Sequence, residues 1–472
     1  MANVGTTVCM TPREAVANPM VFNSNIFLFA FLPITFALFW AAQNKTKRYL
    51  LLALSGFVFY GWWDWRFCGL LLFSALFSFG AGLLIDRSPE LPRKRRIMLF
   101  SVVVDLAILA VFKYYNFFAD PLRTLVPQLP AIQVILPIGI SFYTFHTISY
   151  VIDVAAGRVR AARNVFEYLT YVNLFSQLVA GPIVRFRQIE HDLENIDGPL
   201  KPDWLARGMG FFVAGMIKKV IVADQIAVYL NPVLANVGLL GTSGAWIATF
   251  GYSLQLYFDF SGYSDMAIGL GYMFGLRIPQ NFDAPYRACG IGDFWRRWHI
   301  SLSSWLRDYL YIALGGNRKG EWKTYRNLFL TMLLGGLWHG ANWTFVAWGA
   351  YHGALLALEK YFQPSLSKVP RPITQIATFL LVVVGWVPFR SDNFAMAATW
   401  LNRMFVPQSG LAAPSALTAW VAGALLIAAT VPETWHLPMP AHRGLAFACG
   451  IAMFFCYLFI NDGKSVFLYY QF

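Results

Sequence analysis

The sequence predicts an all-α integral membrane protein, a multi-helix bundle with re-entrant segments, and three observations carry that prediction. Of 472 residues, 57% are hydrophobic, 17% aromatic and only 13% charged, whereas soluble domains run at about 25% charged; mean hydropathy is +0.51. Apolar runs such as IMLFSVVVDLAILAVFKYYNFF, VILPIGISFYTFHTISYVI and ITQIATFLLVVVGWVPF recur along the chain, each near or above the roughly 20 residues that cross a hydrocarbon core. The polar links between the early runs alternate between strongly basic and nearly neutral, the signature of loops on opposite faces of a bilayer.

These observations exclude a large soluble domain, for which no stretch remains. The net charge of +13 is spread over short links and requires no nucleic acid. The five cysteines, Cys9, Cys68, Cys289, Cys449 and Cys456, show neither CxxC pairing nor metal spacing, so they read as small apolar fillers.

Taken in order, residues 1–19 are polar, hold Pro12 and Pro19, and read as a loose leader to a single transmembrane domain over 20–472. The run 21–41 is too long for a signal-peptide core, lacks a small-residue cleavage site and is followed by further spans, so it is expected to be retained. A first span covers Phe22 to Ala42 and stops at Lys45, Lys47 and Arg48. A short second span, Tyr49 to Trp62, and a third, Phe67 to Ile85, lead to Arg87 and Arg93 to Arg96. The fourth spans Ile97 to Phe118, and the fifth Ile132 to Val154, with Pro137 permitting a kink. Arg158, Arg160 and Arg163 follow. Basic links thus come after odd-numbered spans, which predicts an N-terminus outside the cytoplasm.

The middle of the chain is more polar. Phe166 to Ile183 holds Asn173, Ser176 and Gln177 before Gly181-Pro182, which suits a broken or re-entrant segment at a cavity. Phe211 to Leu230 is interrupted by Lys218-Lys219, and Gly244 to Tyr272 carries Asp259, Ser261, Tyr263, Ser264 and Asp265; such side chains must line a cavity or pair internally. Spans at Phe329 to Leu337, Trp343 to Leu358, Ile373 to Pro388, Leu417 to Thr430 and Leu445 to Ile460 complete about eleven to thirteen segments.

Two histidines in the stretch from Trp295 to His352 are the candidates for chemistry, because an ionisable residue inside a membrane segment has a cost that function can justify. His299 lies in DFWRRWHISLSSWLR and His339 in GGLWHGANW. Helical spacing over the former places Trp295, Trp298 and Leu302 on one side, an amphipathic segment that serves as an interfacial anchor or as a cavity wall whose arginines meet phosphate or carboxylate groups. The turn Gly315-Gly316-Asn317-Arg318-Lys319-Gly320 lacks Walker spacing and reads as a glycine helix stop. Glycines and tryptophans around His339 allow close approach and an apolar wall. Its imidazole can act as a proton acceptor or as an acyl-accepting nucleophile. No short ligand spacing links His299, His339 and His352 with Asp259 or Asp265 as a metal set, and no GxSxG or HExxH motif is present.

These blocks together, MVFNSNIFLFAFLP, QLVAGPIVRFRQ, YFDFSGYSDMAIGLGYMFGLRIPQNFDAPY, DFWRRWHISLSSWLRDYLYIALGGNRKG, WHGANWTFVAWGAYHG and the terminal FLYYQF, resemble the membrane-bound O-acyltransferase family in its bacterial alginate O-acetyltransferase branch. The resemblance runs nearly the full length from Met20. Ser176 departs from the proline that relatives often carry there.

The resemblance implies a helical bundle around a central cavity or tunnel, with His339 as the catalytic histidine and His299 as the second catalytic position. Asp308, Tyr309, Trp338, Asn342 and Gln177 are the supporting residues it suggests, and Arg296, Arg297, Arg318 and Lys319 the donor-binding ones. It implies an acetyl thioester donor, acetyl-CoA, with no tightly bound cofactor and no metal. It further implies an inner-membrane location in a lipid bilayer, alginate biosynthesis as the setting, and a periplasmic or membrane-anchored SGNH-hydrolase-like acetyltransferase as partner within polysaccharide acetylation machinery, with no nucleic acid. Acetylation of bacterial cellulose, or a non-catalytic acyl conduit or scaffold for a periplasmic acetyltransferase, are the alternatives.

Overall fold

The computed structural model describes residues 20–126, 132–460 and 468, so the leader expected at 1–19 and most of the terminal FLYYQF lie outside it. Eighteen α-helices are described: α1 (Leu32–Ala41), α2 (Lys45–Asp64), α3 (Cys68–Arg87), α4 (Leu91–Leu125), α5 (Ile140–Ala155), α6 (Val165–Asn173), α7 (Phe186–Glu194), α8 (Pro202–Met216), α9 (Asp224–Ala235) and α10 (Thr242–Met273). They are followed by α11 (Ile291–Arg297), α12 (Ile300–Trp305), α13 (Glu321–His339), α14 (Trp343–Leu366), α15 (Arg371–Arg390), α16 (Phe394–Phe405), α17 (Ser415–Thr430) and α18 (Arg443–Phe459). Among the described residues there is no sheet, only an isolated parallel bridge between Leu240 and Leu411.

Three helical stretches are long and apolar enough to cross a membrane: Lys45–Arg87, bent at Trp65–Phe67, Leu91–Arg123 and Arg371–Arg390. Shorter apolar helices cover Phe27–Ala41, Ser415–Thr430 and Arg443–Phe459. The protein is therefore a multi-pass helical membrane protein. Its outward faces carry large apolar side chains such as Phe29, Phe100 and Phe447, as a bundle in hydrocarbon requires.

Several elements differ from the sequence reading. The second span is a full helix, α2, started by Asn44, whose side chain accepts from Lys47 N; cap chemistry extends it beyond its apolar run. The fifth begins only at Ile140: Pro137 precedes the helix and does not kink it, because Gly139 turns the chain with φ +77°. After α6 stops at Asn173, residues 174–185 run buried without regular helix. Helix α16 was not anticipated. The amphipathic segment at 293–307 is two helices, broken where His299 takes φ 45° and ψ 55°.

The links gather on two faces. Lys45 donates to the Glu194 carbonyl and Arg48 to those of Ile196 and Gly198; Arg277 pairs with Asp192, Arg163 with Asp86, and Arg185 with Asp308. The basic links after spans three and five therefore share one face, and the link after span one is tied to the end of α7. On the other, Asn342 reaches the Asp392 carbonyl, and Gly241 and Thr242 bond to Leu411 and Gln408.

The carboxylates of α10, Asp259 and Asp265, are paired inside the bundle. Between α8 and α9 the helix passes through a π-helical turn at Ile217–Ala223. The extra residue per turn lets neighbouring lysines both face inward. Lys218 meets Asp265 and Glu433, each at 2.8 Å, while Lys219 meets Asp259 at 2.6 Å and Asp224 at 2.7 Å. Buried charges persist only when paired in this way.

Candidate active site

Helices α13 and α14 pack backbone to backbone and thereby place His339. A Cβ on Gly336 would lie 2.3 Å from the Phe345 carbonyl oxygen, and one on Gly349 would lie 2.4 Å from that of Met332. Only glycines permit this approach. Helix α13 ends at His339, and Gly340 continues in extended conformation. The imidazole sits in an aromatic box, its centroid 5.0 Å from Trp338, 5.1 Å from Trp348 and 5.3 Å from Phe389.

A cavity of about 400 Å³ leads to it. One wall is a stripe of α13, Leu328, Thr331, Gly335 and His339, at the three- and four-residue spacing of one helix face. From Leu328 to His339 this stripe rises roughly 16 Å at 1.5 Å per residue. Arg296, Arg307 and Tyr311 lie at other points of the lining, and the two guanidinium side chains are 73% and 64% exposed. The cavity thus joins solvent-accessible cations to a buried imidazole.

His299 is fully buried, its ring edge-on to Phe260 at 4.7 Å between centroids. Its unusual backbone is held by Asn281, whose carbonyl accepts from Ile300 N at 2.9 Å. The Asn281 side chain is a hub. Its Oδ1 accepts from Ser301 N at 3.1 Å and from Ser301 Oγ at 2.8 Å, and lies 3.1 Å from His299 Nδ1; its Nδ2 donates to Ser264 Oγ at 3.0 Å. A backbone N–H can only donate, so the amide atom facing Ser301 N is the oxygen. That oxygen can only accept, so His299 Nδ1 carries the proton and Nε2 carries the lone pair. Left-handed backbone at a non-glycine residue costs about 1–2 kcal/mol, and such strain is characteristic of functional sites.

The other residues named from the sequence are distributed around this centre. Trp338 walls the box and stacks on Phe145, which also stacks on Trp305 at 3.8 Å. Asp308 accepts from Arg185 at 2.7 Å and from Arg307 at 2.7 Å, while Tyr309 donates to Asp153 at 2.7 Å; these tie α5 and α7 to the segment beside the cavity. Gln177 donates to the Tyr171 carbonyl at 2.6 Å in the buried non-helical stretch. Asn342 caps α14 by accepting from Thr344 N, a local structural bond rather than a contact in the cavity.

Of the four basic residues, only Arg296 lines the cavity. Arg297 is tied to Asp293 at 3.1 Å and donates to the Asp283 carbonyl. Arg318 and Lys319 lie in the turn made by Gly315, φ +112°, and Gly316, φ +55°. Arg307, which belongs to the amphipathic segment read as a cavity wall, joins Arg296 in the lining, and Asn281 was missed although it falls inside a quoted sequence block: a single sequence gives no sign of which amide meets a histidine.

Among the described residues no group of three or more histidine, cysteine, aspartate or glutamate side chains could hold a metal. His352, two helical turns beyond Phe345, is enclosed by Phe294, Trp295, Trp348 and Tyr351, and Asp259 and Asp265 are engaged by lysines.

Comparison with known proteins gives the chain its family. The chain is 48% identical over 395 residues to the probable alginate O-acetylase AlgI of Pseudomonas putida, covering 82% of this chain and 80% of that protein. It is 35% identical over 419 residues to the peptidoglycan O-acetyltransferase of Helicobacter pylori, covering 82% and 80%, and 28% identical over 293 residues to the teichoic acid D-alanyltransferase of Bacillus subtilis, covering 60% and 73%. Residues 57–390, which include the cavity and both histidines, match the family model of membrane-bound O-acyltransferases, and the chain belongs to that family.

Proposed function

We propose that this O-acyltransferase passes acetyl groups from a cytoplasmic thioester donor, acetyl-CoA, across the inner membrane for O-acetylation of an exopolysaccharide, alginate. The observation that carries the reading is the cavity running from the exposed guanidiniums of Arg296 and Arg307 to His339. Guanidiniums suit the phosphates of such a donor, and an apolar channel admits only the acyl-bearing end, which spares the charged portion from hydrocarbon. Similarity at 46–48% identity to proteins named probable alginate O-acetylase supports the choice of polymer.

The positive-inside rule assigns the face with the basic links to the cytoplasm and the start of the first span to the periplasm. In the transfer step an acceptor hydroxyl attacks the thioester carbonyl, an imidazole takes the hydroxyl proton, and the tetrahedral intermediate expels the thiolate, which regains that proton. His339 is placed at the carbonyl, as base or as transient acyl acceptor. His299, with its lone pair on Nε2, is the second base. An SGNH-hydrolase-like partner on the periplasmic side completes delivery to the polymer.

The test is thioester-dependent transfer in vesicles containing the protein and its partner. His339→Ala is expected to lower kcat by about 10²–10⁴, the range of general acid–base catalysis, and His299→Ala to lower it in the same direction. Full transfer by both folded variants would overturn the reading. An acetyl adduct on His339 after rapid quenching selects the nucleophilic route; a trapped acetylated partner without that adduct selects the base.

A further inference from the structure

A buried cation beside the end of α13 comes from a helix that mostly faces outward. Helix α4 turns a narrow stripe inward, Ser101, Asp105, Leu109 and Lys113, all buried at four-residue spacing. A lysine in such a helix ordinarily extends its flexible stem toward the interface. Lys113 does not. It is 9% exposed, and its ammonium donates to the Trp338 carbonyl, lies 3.3 Å from the His339 carbonyl and 3.3 Å from Ser141 Oγ, and stands 5.5 Å from the Trp338 ring centroid. The next residue, Tyr114, donates to the Leu337 carbonyl at 2.8 Å.

Three consecutive carbonyls, of Leu337, Trp338 and His339, are thus held by two consecutive residues of α4. They are the last carbonyls of α13, which lack downstream helical donors and carry the negative end of its dipole. No carboxylate is paired with Lys113 among the described residues. An ammonium taken out of water is otherwise expensive, and the helix end is what offsets it here. The bonds converge on the residue that carries the imidazole, so a shift of this helix end moves the ring directly within its aromatic box.

We propose that Lys113 is a positioning residue for acyl transfer, its ammonium clamping the end of α13 so that the His339 imidazole is presented to the cavity in one orientation, with Tyr114 as its auxiliary. The proposal rests on the role assigned to His339 above. Misplacement of a reacting group by about 1 Å is enough to cost about 10²-fold in rate, and loss of the clamp acts on orientation and not on the rim where the donor is recognised.

The experiment compares wild type, Lys113→Met, Lys113→Arg, Tyr114→Phe and His339→Ala in the same vesicle assay, with rates expressed per monodisperse folded protein. Lys113→Met is expected to lower kcat by about 10²-fold while donor KM stays within about threefold, the pattern of a group acting on the transition state and not on uniform binding. Lys113→Arg recovers part of kcat, and Tyr114→Phe lowers it less. Unchanged kcat per folded molecule in Lys113→Met, or a rise in KM in place of a fall in kcat, overturns the proposal. If Lys113→Met does not assemble, Lys113→Leu, which likewise removes the N–H donors, is judged by the same criterion. An active His339→Ala refutes the role of His339 itself, whereas an inactive His339→Ala beside a fully active Lys113→Met refutes the clamp alone.

Discussion

Replacing Asn281 with leucine tests the orientation of His299. The substitution keeps the approximate volume of the side chain but removes an oxygen that serves Ser301 N, Ser301 Oγ and His299 Nδ1, and an N–H that serves Ser264. Each neutral hydrogen bond contributes about 0.5–1.5 kcal/mol, and a buried donor left without its acceptor costs about 1–3 kcal/mol. Loss of the three Oδ1 bonds is therefore worth roughly 3 kcal/mol. The same bonds hold His299 at positive φ, a conformation about 1–2 kcal/mol above its alternatives. Relaxation of this local strain is the easiest response, so the damage concentrates on the imidazole.

The assay is the initial rate of thioester-dependent acetyl transfer at saturating donor. Asn281→Leu should lower kcat by about 10²-fold, the lower end of what a correctly placed acid–base group contributes. Asn281→Asp, which keeps an acceptor at Oδ1, should remain within about tenfold of wild type. A folded, monodisperse Asn281→Leu protein with kcat within about threefold of wild type would refute the argument, as would an equal loss in both variants, because the argument assigns the effect to the acceptor and not to the packing.

Two further outcomes follow from the geometry. Gly349→Ala places a Cβ 2.4 Å from the Met332 carbonyl oxygen, and overpacking of this kind costs about 1–3 kcal/mol. Its thermal midpoint in detergent should fall together with transfer activity, whereas Gly450→Ala, where a Cβ meets nothing within 4 Å, should leave both unchanged; equal behaviour of the two would refute the close packing. Arg296→Glu and Arg307→Glu should each raise donor KM by roughly tenfold, equivalent to about 1.4 kcal/mol, and weaken its salt dependence with little change in kcat. Arg318→Glu, outside the cavity lining, should have the smaller effect, and the reverse ranking would move the donor site to the glycine turn.

Much of the architecture was legible because it is written locally. Apolar runs, basic links and glycine turns act within a few residues of themselves, so composition and spacing identify the bundle and which links share a face. The pairing of Arg163 with Asp86 brings the third and fifth links together as their alternation predicts. His299 and His339 were visible for the same reason: polar rings in apolar surroundings stand out without knowledge of their partners. Helix bounds were less legible where a single cap or glycine outweighs a hydrophobic run, as at Asn44 and Gly139.

What the sequence by itself determined is a helical membrane protein of the acyltransferase kind, with two histidines and an arginine-rich segment as its candidates for chemistry. What only the tertiary structure decided is which groups meet them. Asn281 lies 18 residues from His299, and Lys113 lies 225 residues from the Trp338 carbonyl it holds. No periodicity encodes such a pair. The break at His299, the cavity that selects Arg296 and Arg307 over Arg297, and the clamp on the end of α13 exist because buried donors and acceptors must find partners wherever packing brings them, and packing is a property of the whole chain.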